Sequence, residues 1–189
     1  MVPGGFGKRG IEGKILAAKF AREHKVPYLG LCLGAQLMTI EFARAVLKDP
    51  LLTSEEFDEE GTLPPEKYVV HFLPGQYKER SKGGTLRLGA YPCKLKEGTR
   101  AWEAYGKVAE VSERHRHRYE FNNDYREQLE KNGLVISGDS PKGDLMEIVE
   151  IKDHPFMVGS QFHPEFKSRP HRPQALFAAF LKTAVALQK

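Results

Sequence analysis

VPYLGLCLGAQ, residues 26–36, is a short apolar run that breaks at Gly30-Leu31-Cys32-Leu33-Gly34 and then opens into a helical pattern. Val26 to Leu31 reads as a buried strand, entered at Pro27 and closed by glycine. From Ala35 to Leu47 the apolar residues Leu37, Met38, Ile40, Phe42, Ala43, Val46 and Leu47 fit a largely buried helix. Between strand and helix stands one cysteine with a glycine two residues to either side. That is the layout of a nucleophile elbow with Cys in place of the Ser of G-x-S-x-G. The small flanking residues let the backbone fold sharply while the side chain is pushed out over the sheet. The thiol is expected at the helix N-terminus, where free N–H groups and the macrodipole favour a thiolate. The plainer reading of a cysteine in an apolar run is a small core residue, so its chemistry depends on what the rest of the chain supplies.

The chain has 189 residues, 40% hydrophobic and 29% charged, which suits one globular domain with its own core. A domain of that length buries about 70% of its unfolded surface and needs no disulfide or metal staple. Two cysteines, Cys32 and Cys93, point away from a secreted disulfide framework and toward a reducing, cytoplasmic setting. The opening MVPGGFGKRG has no apolar h-region of a signal peptide, and no apolar run is long enough for a membrane span. The net charge of +4 raises the question of nucleic-acid binding. The basic residues are interleaved with acids, as in Lys78-Glu79-Arg80 and Asp124-Tyr125-Arg126-Glu127, which is the pattern of a solvated face. No nucleic-acid or membrane partner is expected.

Val2-Pro3-Gly4-Gly5-Phe6-Gly7 reads as a loop at a strand end, where backbone N–H groups can approach a ligand. With two residues before it, the domain is expected to begin in mid-fold. Ile11 to Lys25 follows as a helix, giving the loop–helix–strand–helix order of α/β proteins. Residues 49–82 form a proline-rich, acidic excursion, predicted as mostly exposed, with one strand at Tyr68–Leu73 and mobility around Lys78–Lys82. Gly84 to Gly89 alternates like a strand, and Thr99 to Tyr105 is a short helix carrying Trp102.

VSERHRHRYEF, residues 111–121, is polar on both faces at period two. Glu113, His115, His117 and Tyr119 share one face; Arg114, Arg116, Arg118 and Glu120 share the other. Such a strand is predicted to lie beside a site or an interface. Tyr125–Asn132 reads as a helix closed by Gly133. Leu134–Ser137, Met146–Ile151 and Phe156–Phe162 read as strands, and Pro173–Gln188 as a closing helix.

A cysteine nucleophile needs a base, and the base an orienting partner. His163 and Glu165 stand one residue apart at a strand end, with Pro164 fixing the backbone between them, so the carboxylate can hold the imidazole tautomer. Metal binding competes for the same residues: His115-x-His117 has ligand-like spacing, and His163 or Cys32 could complete a set. The arginines flanking both histidines oppose a divalent ion, and no metal site is expected. The chain has no G-x-x-x-x-G-K-[ST] phosphate loop.

With these residues in hand the chain resembles a known family. Pro3-Gly4-Gly5, Gly30 to Gln36 and His163-Pro164-Glu165 look like the three signatures of class I glutamine amidotransferases. VPGGFGKRGIEGK, GGTLRLG, ERHRHRYEFN and HPEFKSRP resemble more specifically the C-terminal glutaminase domain of the CTP synthase family. The resemblance implies a three-layer, flavodoxin-like α/β sandwich with a mostly parallel central sheet, here lacking its first strands. It implies Cys32 as nucleophile, His163 as general acid/base and Glu165 as its orienting carboxylate. The oxyanion hole would be the N–H groups of Gly5 and Leu33, and glutamine would be held at Gly5, Leu33, Gln36, Glu56 and Arg118. Thr53 to Phe57 keeps the family's acid at Glu56 but differs around it. The family passes ammonia to a synthetase domain that aminates UTP to CTP with ATP and Mg²⁺, stimulated by GTP, in a homotetramer. Those nucleotides are expected with the full-length enzyme and not with this chain alone. Another class I amidotransferase, a γ-glutamyl hydrolase and a catalytically silent binding domain stay open as alternatives.

Overall fold

In the computed structural model, which describes residues 1–72 and 87–188, the chain opens with α1 (Ile11–His24), β1 (Tyr28–Leu31), α2 (Leu33–Leu47), β2 (Thr53–Ser54), β3 (Tyr68–Phe72) and β4 (Arg87–Leu95). It continues through α3 (Arg100–Ala104), β5 (Glu110–His117), β6 (Tyr119–Phe121), α4 (Arg126–Lys131) and β7 (Leu134–Asp139). β8 (Met146–Ile151), β9 (Met157–Ser160) and α5 (Ala175–Ala186) complete it. The predicted segments Leu73, Lys78–Lys82 and Gly84–Leu86 lie outside the described residues.

The elbow forms as its residues dictate. All four residues of β1 are buried, and Cys32 alone separates the strand from α2. Its backbone sits at φ 48° and ψ −106°, a region that costs a non-glycine residue about 1–3 kcal/mol. Hydrogen bonds on both sides enforce it: Cys32 N–H donates to Ser160 O at 2.7 Å, and Cys32 O accepts from Ala35 N at 3.0 Å and Gln36 N at 3.1 Å. The glycines are there for space. A Cβ on Gly30 would lie 2.5 Å from the carbonyl of Gly34, and one on Gly34 would lie 2.2 Å from the carbonyl oxygen of Val2. Val2 bridges Gly30 in parallel, donating to Leu29 O and accepting from Leu31 N, both at 2.9 Å. This seats the Pro3-Gly4-Gly5 loop over the thiol.

The large sheet has the order β1-β9-β8-β7-β4-β5. Period-two alternation divides its side chains between two cores. Tyr28, Met157, Ile136 and Val149 pack with α1, α2 and α4, whereas Leu29, Val158 and Ile148 pack with α3 and α5. The three-layer α/β sandwich is therefore as expected. The mostly parallel sheet is not: β1 and β9 are the one parallel pair among its described strands, and β9-β8, β8-β7, β7-β4 and β4-β5 run antiparallel. β7, β8 and β9 are joined by short turns, which can link only antiparallel neighbours.

Part of the excursion is also more buried than predicted. β3 pairs with β2 in parallel and with β6 in antiparallel, forming a second sheet. Leu52, Val69 and Val70 join the α2 core. The partner strand β6 arrives from about fifty residues downstream, a pairing with no local trace in the sequence. Both cysteines are free and buried, and no helix among the described residues is long and apolar enough to cross a membrane.

Gly34→Ala should lower unfolding stability by about 3 kcal/mol, because backbone atoms rather than a flexible side chain stand in the way. Gly13→Ala, on the exposed face of α1 where an added Cβ meets nothing within 4 Å, should instead raise it by about 0.5–1 kcal/mol. Urea titrations of the two variants check the contrast.

Candidate active site

Four segments converge on the elbow. A cavity of about 560 Å³ has Gly5, Cys32, Gln36, Glu56 and Arg118 among its walls. A second hollow, about 760 Å³, is lined by other residues, including Asp49, Glu66, His71 and Asp124. The candidate chemistry belongs to the first.

His163 comes off the end of β9 and is fixed at both ends. Its backbone N–H donates to Arg114 O on β5 at 2.8 Å, and its Nδ1 meets Glu165 Oε1 at 2.6 Å. The turn Pro164–Phe166 folds Glu165 back toward the ring, and Phe166 stacks on the imidazole at 4.9 Å and 15°. His163 Nε2 is buried without a hydrogen-bond partner. A Cβ placed on Gly4 would meet His163 Cε1 at 2.9 Å and Cys32 Cβ at 3.5 Å, so imidazole and thiol flank one glycine. Burial raises the Glu165 carboxyl, but the hydrogen bond to His163 and a turn amide outweigh it and leave it below its usual range.

Electrostatics at the thiol run against the sequence expectation. Burial pushes Cys32 up to about 12; the Leu33 amide pulls it down, and the carboxylates of Glu56, Glu165 and Glu120 add to the rise. The amide at the start of α2 does reach the sulfur, but desolvation is larger. At neutral pH the side chain is a thiol, and attack requires a base to take its proton.

Glu56 is held by Ser54, whose Oγ caps its N–H at 3.2 Å, and its own Oε1 accepts from Gly7 N at 2.8 Å. That bond pins the glycine loop across the cavity. Burial raises the Glu56 carboxyl, with the Gly7 amide and the nearby Arg118 charge opposing. Gln36, one turn into α2, donates from Nε2 to Tyr119 O and Gln161 Oε1, both at 3.1 Å. Gly5 abuts Leu33, since a Cβ there would lie 3.2 Å from Leu33 Cδ2. Every site residue read from the sequence is thus brought to one place.

Sequence reading missed Gln161, whose Nε2 lies 3.8 Å from Cys32 Sγ. Its signal was a long polar amide in the otherwise apolar strand end. It also missed a buried polar group behind β5. Arg87 donates to Glu147 Oε1 at 2.5 Å and Glu120 Oε1 at 3.3 Å, and His117 Nε2 meets Glu120 Oε1 at 2.6 Å. Glu120 does not share a face with the arginines as predicted: it is 1% exposed, on the histidine side. The alternation resets at Arg118, the single residue between β5 and β6. His115 lies in the same group, its Nε2 3.6 Å from Glu147 Oε2. No cluster of three or more His, Cys, Asp or Glu among the described residues is arranged to hold a metal.

The chain belongs to the glutamine amidotransferase class-I family, whose profile it matches over residues 1–183. Among curated relatives it is 58% identical over 188 residues to CTP synthase of Shouchella clausii (strain KSM-K16), covering 100% of this chain and 34% of that protein. It is 60% identical over 185 residues to CTP synthase of Roseiflexus castenholzii (strain DSM 13941 / HLO8), covering 97% and 32%. The chain therefore spans about a third of the length of the curated relatives it matches. Among solved structures, the Trypanosoma brucei CTPS glutaminase domain with bound acivicin superposes with a TM-score of 0.87 at 39% identity, covering 98% of this chain and 70% of that one. A glutamine amidotransferase from Methylobacillus flagellatus shares the fold at TM-score 0.55 and 14% identity, covering 93% of this chain and 70% of that one. Sequence and fold alike set this chain with the glutaminase domain of CTP synthases.

Burial and the Arg87 charge push His115 down to about 2, so the folded chain keeps it neutral. A depressed histidine contributes stability that is fully present above its unfolded pKa of about 6.5 and is lost as pH falls below it. Glu147, raised by burial to about 7, acts with the opposite sign over about pH 4.5–7. His115→Leu isolates the first effect. It should gain on the parent by up to about 1.4 kcal/mol per pH unit below about pH 6.5, read from urea unfolding at pH 7 and pH 5.

Proposed function

We propose that this chain hydrolyses L-glutamine to glutamate and ammonia through a thioester on Cys32. The observation that carries the reading is that the Cys32 side chain and the His163 ring flank one glycine, with His163 Nε2 unpartnered and Glu165 holding Nδ1. His163 takes the thiol proton as sulfur attacks the side-chain amide carbon. The oxyanion forms against the N–H groups of Gly5 and Leu33, and His163 returns the proton to the departing ammonia. Water activated by the same imidazole then cleaves the thioester. Arg118 pairs with the α-carboxylate of glutamine, Glu56 with its ammonium group, and Gln36 lines the side-chain slot.

The likeness to CTP synthases supports a wider reading. In the longer protein the ammonia would serve a synthetase domain that converts UTP to CTP with ATP and Mg²⁺, with GTP as activator, in a cytoplasmic homotetramer. Those nucleotides are assigned to the longer enzyme, not to residues of this chain.

Cys32→Ala should abolish glutamine hydrolysis and labelling by the chloroketone analogue of L-glutamine while leaving the circular dichroism unchanged; retained turnover would refute the assignment. Arg118→Ala should raise KM for glutamine about 10–100-fold, the scale of a lost charged hydrogen bond. Gly4→Ala should cut kcat about 10²-fold by displacing the imidazole its Cβ would meet at 2.9 Å. An initial-rate assay of ammonia release checks both.

A further inference from the structure

We infer that the buried chain Glu147–Arg87–Glu120–His117 is a positioning device for Arg118, clamping the junction from which that arginine reaches into the cavity. The inference rests on the glutamine-binding reading above and extends it to residues behind the pocket wall. β5 belongs to the six-stranded sheet and ends at His117, opposite Arg87 in register. β6 belongs to the three-stranded sheet, with Glu120 opposite His71. Arg118 is the one residue where the chain passes from one sheet to the other, and nothing in strand pairing fixes the angle there.

The polar chain supplies what pairing does not. His117 Nε2 and Glu120 Oε1, at 2.6 Å, close a loop around Arg118 and Tyr119. Arg87 then ties Glu120 at 3.3 Å to Glu147 of β8 at 2.5 Å, and its guanidinium lies 4.5 Å over the Tyr91 ring. The junction is thereby anchored to the middle of the large sheet. Glu147 also accepts from Gln161 N at 2.8 Å through its backbone carbonyl, so the anchor strand carries the residue whose amide meets the thiol.

Stability does not account for this arrangement. Glu120 and Glu147 are 1% and 0% exposed and Arg87 is 8% exposed, and several of the group's polar atoms have no partner. A buried ionic group of this kind is commonly matched or bettered in stability by apolar residues of similar volume. What apolar residues cannot do is fix the direction of a strand junction through a hydrogen bond of one geometry. Of the four, His117 lines the cavity, so the rest act through it and through the junction.

The test is a double-mutant cycle on glutamine affinity, measured by calorimetry on the full chain carrying Cys32→Ser so that binding is read without turnover. Glu120→Ala should raise Kd about tenfold, Glu120→Gln should recover most of that loss, and Glu120→Ala should add nothing once Arg118 is alanine. Equal effects in both Arg118 backgrounds, or no change in Kd, would overturn the proposal. If Glu120→Ala does not fold, Arg87→Lys carries the same cycle, since lysine cannot span two carboxylates. Binding that follows this pattern in a chain whose parent turns over no glutamine sustains the positioning role while the catalytic reading fails. No glutamine binding to the parent cavity ends both.

Discussion

The structure depends on a backbone contact too close for any side chain. Gly34 presses its α-carbon against the carbonyl of Val2, and Gly30 presses against Gly34, at distances that exclude even a methyl group. Because three segments meet without intervening atoms, the loop after Val2, the end of β1 and the start of α2 share one small volume. Cys32 has no relaxed conformation available there, and its positive φ is the consequence. The loop is brought near the sulfur by the same contact, since Val2 is hydrogen-bonded into β1 at both its N–H and its carbonyl. A sharper elbow needs glycine; a looser one would carry the loop away from the thiol.

Geometry that tight has an electrostatic consequence. Removing water from the sulfur makes ionisation harder, and the amide at the start of α2 does not compensate. A helix N-terminus favours the thiolate of an exposed cysteine, but at a cysteine this buried desolvation outweighs it. The site therefore fits a nucleophile that stays protonated until an imidazole relieves it, with the ring already oriented through Nδ1.

What the sequence disclosed follows the range of the interactions involved. The β1–Cys32–α2 unit, the short helix capped by Thr99 and the Gly133 stop after α4 are all local, and each was legible from spacing and turn chemistry. The eight residues proposed for the site, which the structure gathers around one cavity, were named mostly through family resemblance rather than pattern. Features of longer range were not legible. The antiparallel character of most of the large sheet depends on which strands are neighbours, which hydrophobic period cannot report. The burial of β3 depends on β6, whose three residues are too few to announce a strand.

Glu120 is the instructive failure, because period-two counting through residues 111–121 was correct up to His117 and wrong afterwards. Counting assumes that one strand stays in one sheet. Here the chain changes sheets at Arg118, and the alternation restarts with Glu120 on the buried side. A stretch polar on both faces was recognised as unusual without the cause being visible. The cause is that its two halves serve two purposes: the histidines and Glu120 turn inward to hold the junction, while Arg118 is left outside the ladders, free to face the cavity. Arg116 also lines the cavity, but from within the β5 ladder, which fixes its backbone; Arg118 has no such pairing, and the buried carboxylates behind it supply the hold that the ladder gives Arg116.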